Sequence, residues 1–275
     1  MRNGTYITLL LSLLVTTALV ARSADTTLSV CGAVVSLRFP EKPAIGTVLM
    51  LPGWHYSQTD CCDHSSFCHQ ALAAGFALVM PAMNKSIYVR KHYPETRREW
   101  RSSPTLLWLV DTLIPSLQYT HHLLLPHQNN FLFGISTGAR GAALCAEATG
   151  LLFRGAAMLS GDYDPLLDTT DRLMIGYLGP HDKFPDRWSG ANNPSASASA
   201  LTIPIYLGHG TKDAVVPARR SIAFFKKMQS VYPEIHSVLH IDTSGMHDYK
   251  YWGRESKNVL DFFLGHLTLK KERQR

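Results

Sequence analysis

Charge is scarce in this sequence. Asp, Glu, Lys and Arg make up 17% of its 275 residues, against an ordinary 45% of apolar ones. That balance argues against both a disordered chain and a multi-span membrane protein. No internal repeat is visible, so the length is read as one large α/β domain with a sizeable core rather than an array. Nucleic-acid-binding motifs are lacking too. The densest basic run (Arg90, Lys91, Arg97, Arg98 and Arg101) reads as a solvated loop. Metal-ligand spacing is also missing. Cys61, Cys62, Asp63, His64, Cys68 and His69 crowd one loop, but their spacing matches no familiar ligand pair, so neither a metal nor another cofactor is expected.

What is present begins with an export signal. Arg2 precedes an apolar segment, residues 7–20, too short for a comfortable membrane span, and small residues follow it. Residues 1–23 therefore read as a signal peptide, with an uncleaved anchor as the competing reading. No stable membrane span is expected after cleavage. The protein is expected to be secreted or periplasmic, and no cysteine at the junction marks a lipoprotein. The net charge of +6 is partly peripheral, because residues 270–275 form a basic tail beyond the domain at 24–269. An oxidising compartment permits a bridge from Cys68 to Cys61 or Cys62, or from that cluster to Cys31. Cys145, among alanines and a leucine, reads as a buried thiol.

Short apolar runs alternate with amphipathic stretches along the chain. Residues 27–30 and 33–37 suggest an edge hairpin. Residues 45–51, 76–80, 131–135, 153–159, 202–207 and 237–241 read as strands. Residues 67–74, 104–117, 217–231 and 256–267 read as helices, and residues 166–201 as a cap-like excursion over the strand ends. The expected fold is α/β: a mostly parallel central sheet with helices on both faces and a small cap. Ligands of such sheets bind beyond the carboxyl ends of the strands, where Gly53, Ser136, Asp213 and His247 fall.

Gly134-Ile135-Ser136-Thr137-Gly138 carries the chemistry. It fits G-x-S-x-G, the sharp strand-to-helix turn that exposes a serine hydroxyl, here after an apolar run and before small residues. A serine hydroxyl needs a positioned base. His247, on the loop after the last strand, is the candidate, with His209 and His240 as competitors. Asp213, after the preceding strand, is the candidate orienting acid, with Asp162 as its rival.

The order Ser, Asp, His resembles that of the α/β-hydrolase superfamily over roughly residues 27–268. His209-Gly210-Thr211-Lys212-Asp213 with Val216-Pro217 carries the same resemblance. Gly245-Met246-His247-Asp248-Tyr249-Lys250-Tyr251-Trp252 is similar to the histidine loop of esterase-D-type and dienelactone-hydrolase-like enzymes. The resemblance implies acyl hydrolysis without a metal, with the Thr137 and Trp54 amides as oxyanion donors. Pro52 before Gly53 departs from the usual His-Gly pair at the second donor. Tyr56 and Trp188 are expected to line a substrate pocket, and Asp63 or His64 to face it. The expected function is cleavage of a small-molecule or acyl ester by Ser136, His247 and Asp213. Competing readings are a peptidase or acyltransferase on the same residues, a catalytically silent binding protein, and a metal-dependent hydrolase built on the Cys/His loop.

Overall fold

In a computed structural model that describes residues 25–268, the apolar runs become one eight-stranded sheet. The strands are β1 (Thr26–Val30), β2 (Ala33–Arg38), β3 (Gly46–Leu51), β4 (Phe76–Pro81), β5 (Asn130–Ile135), β6 (Gly155–Leu159), β7 (Ile205–Gly210) and β8 (Val238–Asp242). They lie in the order β1-β2-β4-β3-β5-β6-β7-β8. β2 runs antiparallel to both β1 and β4, and every other pairing is parallel. The expected signal peptide and basic tail lie outside the described residues.

The central strands are apolar throughout because both faces of the sheet are covered. Leu49, Leu51, Val79 and Leu132 enter one core with Leu109, Ala139, Ala143 and Met228. Val48, Met50, Leu78, Phe131 and Phe133 enter the other with Phe67, Phe76, Trp252 and Phe263. Each buried Val, Leu, Met or Phe among them contributes roughly 1.5–3 kcal/mol by leaving water. The helices are α1 (Asp60–His64), α2 (Phe67–Ala73), α3 (Ile114–His121), α4 (Thr137–Thr149), α5 (Arg172–Leu178), α6 (Pro185–Ser189), α7 (Arg219–Val231), α8 (Tyr249–Arg254) and α9 (Ser256–Gly265). Among the described residues no helix is long and apolar enough to cross a membrane.

Two elements differ from the sequence expectation. The helix expected over residues 104–117 widens into π turns at Trp108–Leu113 before α3 begins. Pro115 explains this, since it offers no N–H to the residue 111 carbonyl and its ring would clash there in a regular helix. The loop containing Cys61 and Cys62 folds as α1, and a Cys62–Cys68 disulfide ties it to α2. Cys31, Cys61 and Cys145 are free thiols, the last two buried. The five basic residues from Arg90 to Arg101 are all exposed, as a solvated loop should be.

Candidate active site

β5 ends at the turn that carries Ser136. Ser136 has φ 56° and ψ −122°, a conformation that costs about 1–3 kcal/mol and persists because its surroundings over-determine it. Its amide donates to Leu159 O at 2.8 Å and its carbonyl accepts from the Ala139 amide at 3.0 Å. The flanking glycines permit the close approach. A Cβ on Gly134 would lie 2.2 Å from Gly138 O, and one on Gly138 would lie 2.0 Å from Leu51 O. The helix start is thereby pressed against the end of β3, where Trp54 follows.

β7 and β8 deliver the other two groups. A Cβ on Gly210 would meet the Gly245 carbonyl at 2.2 Å, so the acid and histidine loops are in contact. Lys212 N donates to Gly245 O at 2.9 Å, and Asp248 caps α8 through the Tyr251 amide at 2.8 Å. His247 is thus held between a short helix and the end of the sheet. Its Nε2 lies 3.0 Å from Ser136 Oγ, and its Nδ1 lies 2.7 Å from Asp213 Oδ2. Asp213 Oδ1 accepts from the Val215 and Val216 amides at 2.9 and 2.8 Å. Burial alone would push the Asp213 carboxyl up. Hydrogen bonds from His209 and His247, with the Val216 amide, outweigh it and hold the group well below the usual carboxylate range. An ionised Asp213 fixes the proton on His247 Nδ1 and leaves Nε2 free to accept from the serine hydroxyl.

The rivals stand elsewhere. His240 Nδ1 faces Glu255 Oε1 at 2.9 Å. His209 is fully buried and lies behind Asp213 rather than beside Ser136. Asp162 Oδ1 pairs with Arg220 at 3.6 Å and receives the Asp164 amide at 3.2 Å. Burial raises its carboxyl against the pull of Arg220 and Arg140.

A cavity of about 340 Å³ opens beside Ser136, lined in part by Trp54, Thr137, Arg140, Asp162, Met174 and Arg220. Met174, Leu173, Asp168 and Asp171 come from residues 166–201, so the excursion does form a wall. The amides of Trp54 and Thr137 make no hydrogen bond among the described residues, which leaves both free for an incoming oxyanion.

Trp188 requires a correction. It is fully buried, donates Nε1 to Gly179 O at 3.0 Å, and packs with Ile87, Val89, Trp100 and Tyr177 where the cap meets the segment after β4, rather than on the cavity. A large apolar ring with a satisfied N–H gains more from that burial than from lining a wet cleft. Tyr56 packs on Tyr249 and Trp252, with ring centroids 5.4 and 6.0 Å apart, and also lies outside the cavity wall. His64 packs at a tilt against Tyr249, with ring centroids 5.4 Å apart, and Asp63 accepts from Thr59 Oγ1 at 2.9 Å, so neither faces the cavity. Sequence reasoning missed Arg140 and Arg220. Arg140 had a signal: it is the one charged residue in an otherwise small and apolar first half of α4.

The sequence pattern of the prolyl oligopeptidase family (Peptidase_S9) matches residues 118–270, more than half of the chain. No curated protein matches the sequence. Among solved structures, an S-formylglutathione hydrolase from Agrobacterium tumefaciens superposes with a TM-score of 0.69 at 14% identity, covering 89% of this chain and 94% of that one. An S-formylglutathione hydrolase from Staphylococcus aureus gives 0.67 at 17% identity, covering 88% and 98%. A Pyrococcus horikoshii acylaminoacyl peptidase gives 0.65 at 13% identity, covering 91% of this chain but 42% of that one. At such identities these likenesses speak to the fold, which is that of an α/β-hydrolase.

Proposed function

The chain belongs to the prolyl oligopeptidase family and is a serine hydrolase, and from that premise we propose that it cleaves carboxylic esters through Ser136, His247 and Asp213. Ser136 Oγ attacks the acyl carbonyl while His247 Nε2 takes its proton. The carbonyl oxygen, now negative, is received by the Trp54 and Thr137 amides. His247 returns the proton to the leaving alcohol, and an acyl-enzyme remains. Water, deprotonated by the same imidazole, then releases the acid and restores Ser136. Asp213 keeps the imidazole in one tautomer and stabilises its charged form throughout.

The observation that carries this reading is the 3.0 Å separation of Ser136 Oγ and His247 Nε2, continued at 2.7 Å to Asp213. The test is labelling by a fluorophosphonate probe, expected in the native protein and lost in Ser136→Ala. An unlabelled native protein would favour a silent binding protein instead. The family description favours a second reading, cleavage of peptide bonds. A panel of p-nitrophenyl esters of graded chain length, assayed beside a peptide amide, separates the two by kcat/KM. Export to the periplasm or medium is part of the proposal. It is supported by the apolar N-terminal segment and by the fit of the Cys62–Cys68 disulfide to an oxidising compartment. Mass spectrometry of the mature N-terminus tests it.

A further inference from the structure

The wall of the cavity beside Ser136 has hydrogen-bond donors left over. Three buried atoms of its lining residues have no partner among the described residues: Thr137 Oγ1, Arg140 Nη1 and Arg220 Nε. All three can donate, and a guanidinium cannot shed its proton to escape the cost. Thr137 and Arg140 lie one turn apart on α4 and so share a face, while Arg220 comes from α7. The N-terminus of α4 adds positive potential at the same place.

Arg140 is 1% exposed. Its Nε donates to Ile87 O at 3.2 Å and its Nη2 to Asn192 O, and among the described residues it has no ion pair. Arg220 Nη1 donates to Asp164 O at 2.9 Å and lies 3.6 Å from Asp162 Oδ1. Arg220 is thus within ion-pair distance of a wall carboxylate, whereas Arg140 feels Asp162 only from farther away; Arg219 lines the cavity as well. The remaining acids, Asp168 and Asp171, have one oxygen each engaged. Asp171 accepts from the Leu173 and Met174 amides at 2.7 and 3.1 Å, and Asp168 from Thr170 at 2.6 Å. No carboxylate oxygen of the wall is buried without a partner among the described residues. Among the buried polar atoms of the wall, those left without a partner are all able to donate.

We propose that this cavity binds a carboxylate carried by the substrate itself, received by Arg140, Arg220 and Thr137, so that the enzyme selects esters bearing a second, anionic group a few atoms from the scissile carbonyl. The inference rests on the esterase reading of Ser136. A cavity of about 340 Å³ is at the small end for a ligand site and suits a short chain rather than a long acyl tail. The carboxylate can belong to the acyl part, as in a half-ester of a dicarboxylic acid, or to the alcohol part, as in an acylated hydroxy acid.

Two pairs of substrates followed by pH-stat titration distinguish these sources. Monomethyl glutarate against methyl pentanoate places the charge on the acyl side. O-acetyl-3-hydroxypropanoate against propyl acetate places it on the alcohol side. One charged member is expected to exceed its neutral partner at least about tenfold in kcat/KM, the scale of one charge-assisted hydrogen bond. Arg220→Gln and Thr137→Val are each expected to shrink that ratio towards unity. Because Arg140→Gln can fail to fold, a binding measurement complements it. Calorimetry with Ser136→Ala should detect the preferred charged ester, and Ser136→Ala/Arg220→Gln should weaken its binding about tenfold or more. Ratios near unity in an enzyme that fluorophosphonate labels would overturn the carboxylate subsite and leave the esterase reading standing. A preference for methyl 5-aminopentanoate would overturn it likewise. Absence of both labelling and turnover would remove the esterase reading, and this inference with it.

Discussion

His209 Nε2 lies 3.3 Å from Asp213 Oδ2, the same oxygen that faces His247. The Val216 carbonyl is also within 2.8 Å of that nitrogen, and Ser221 Oγ is 2.7 Å from Nδ1. Two acceptors at Nε2 fix the proton there, so Ser221 donates to Nδ1. His209 thereby ties the acid loop to α7 and to the end of β7. His209→Gln is expected to lower kcat about tenfold and to destabilise the protein by about 1–3 kcal/mol, the cost of leaving buried partners unmet. A fall in Tm with kcat intact would mean that His209 only fills space.

Of the two acids whose roles the sequence left open, Asp213 is the one in contact with His247, while Asp162 pairs with Arg220. Asp213→Asn is expected to lower kcat by roughly 10³–10⁴ with the fold intact, because the amide cannot hold the correct tautomer of His247. Asp162→Asn should leave most of the turnover of a neutral ester. The reverse result would reassign the acid. Asp213 also affects stability at low pH. Its folded carboxyl is held well below the unfolded value of about 3.9. The stability it contributes is present above that value and is lost as pH falls through the folded one. Acid unfolding of Asp213→Asn should accordingly be less steep than that of the native protein.

The main lines of the fold and the positions of Ser136, His247 and Asp213 were legible because each rests on a local rule. Runs such as 46–51 and 131–135 are apolar at every position, which only a strand covered on both faces tolerates. Gly134 and Gly138 report a steric closeness that no other residue fits. The cavity was not legible in this way. Trp188 and Trp54 look alike in sequence, and only the path of residues 166–201 buries one and leaves the other beside Ser136. Arg140 and Arg220 are eighty positions apart and meet at one cavity through the packing of α4 and α7. No periodicity records that. The π turns at Trp108–Leu113 were readable in principle from Pro115.

Glu147 gives the protein a stability term of opposite sign. Burial pushes its carboxyl up to about 8, against the opposing pull of the Ser197 hydroxyl and Arg140. Ser197 Oγ lies 2.6 Å from Oε2, joining α4 to the segment before β7. In the unfolded chain the group titrates near ~4.3. Between those values the folded state keeps a proton that the unfolded state has released. The contribution is complete below about 4.3 and is lost as pH rises to the folded value, an amount of roughly 3–5 kcal/mol. Glu147→Gln keeps the acceptor and removes the titration. Its Tm should match the native protein near pH 4 and exceed it at pH 9. Parallel Tm curves for the two proteins would refute the assignment.

The Cys62–Cys68 disulfide reaches the site through packing. It ties α1 to α2, and His64 of α1 packs at a tilt against Tyr249, the first residue of α8, two positions after His247. Tyr249 in turn meets Trp252 edge-on at 4.9 Å, and Trp252 meets the His247 ring at 5.1 Å. A loop this short, closed across a sequence separation of 6, contributes about 2 kcal/mol by the chain-entropy argument. Cys62→Ser/Cys68→Ser is therefore expected to lower Tm by roughly 4–8 °C. It should also lower kcat severalfold, because the support behind His247 loosens. Dithiothreitol should reproduce both effects in the native protein and add nothing in the double variant. If reduction lowered Tm but left kcat unchanged, the bridge would brace α1 and α2 without reaching the histidine.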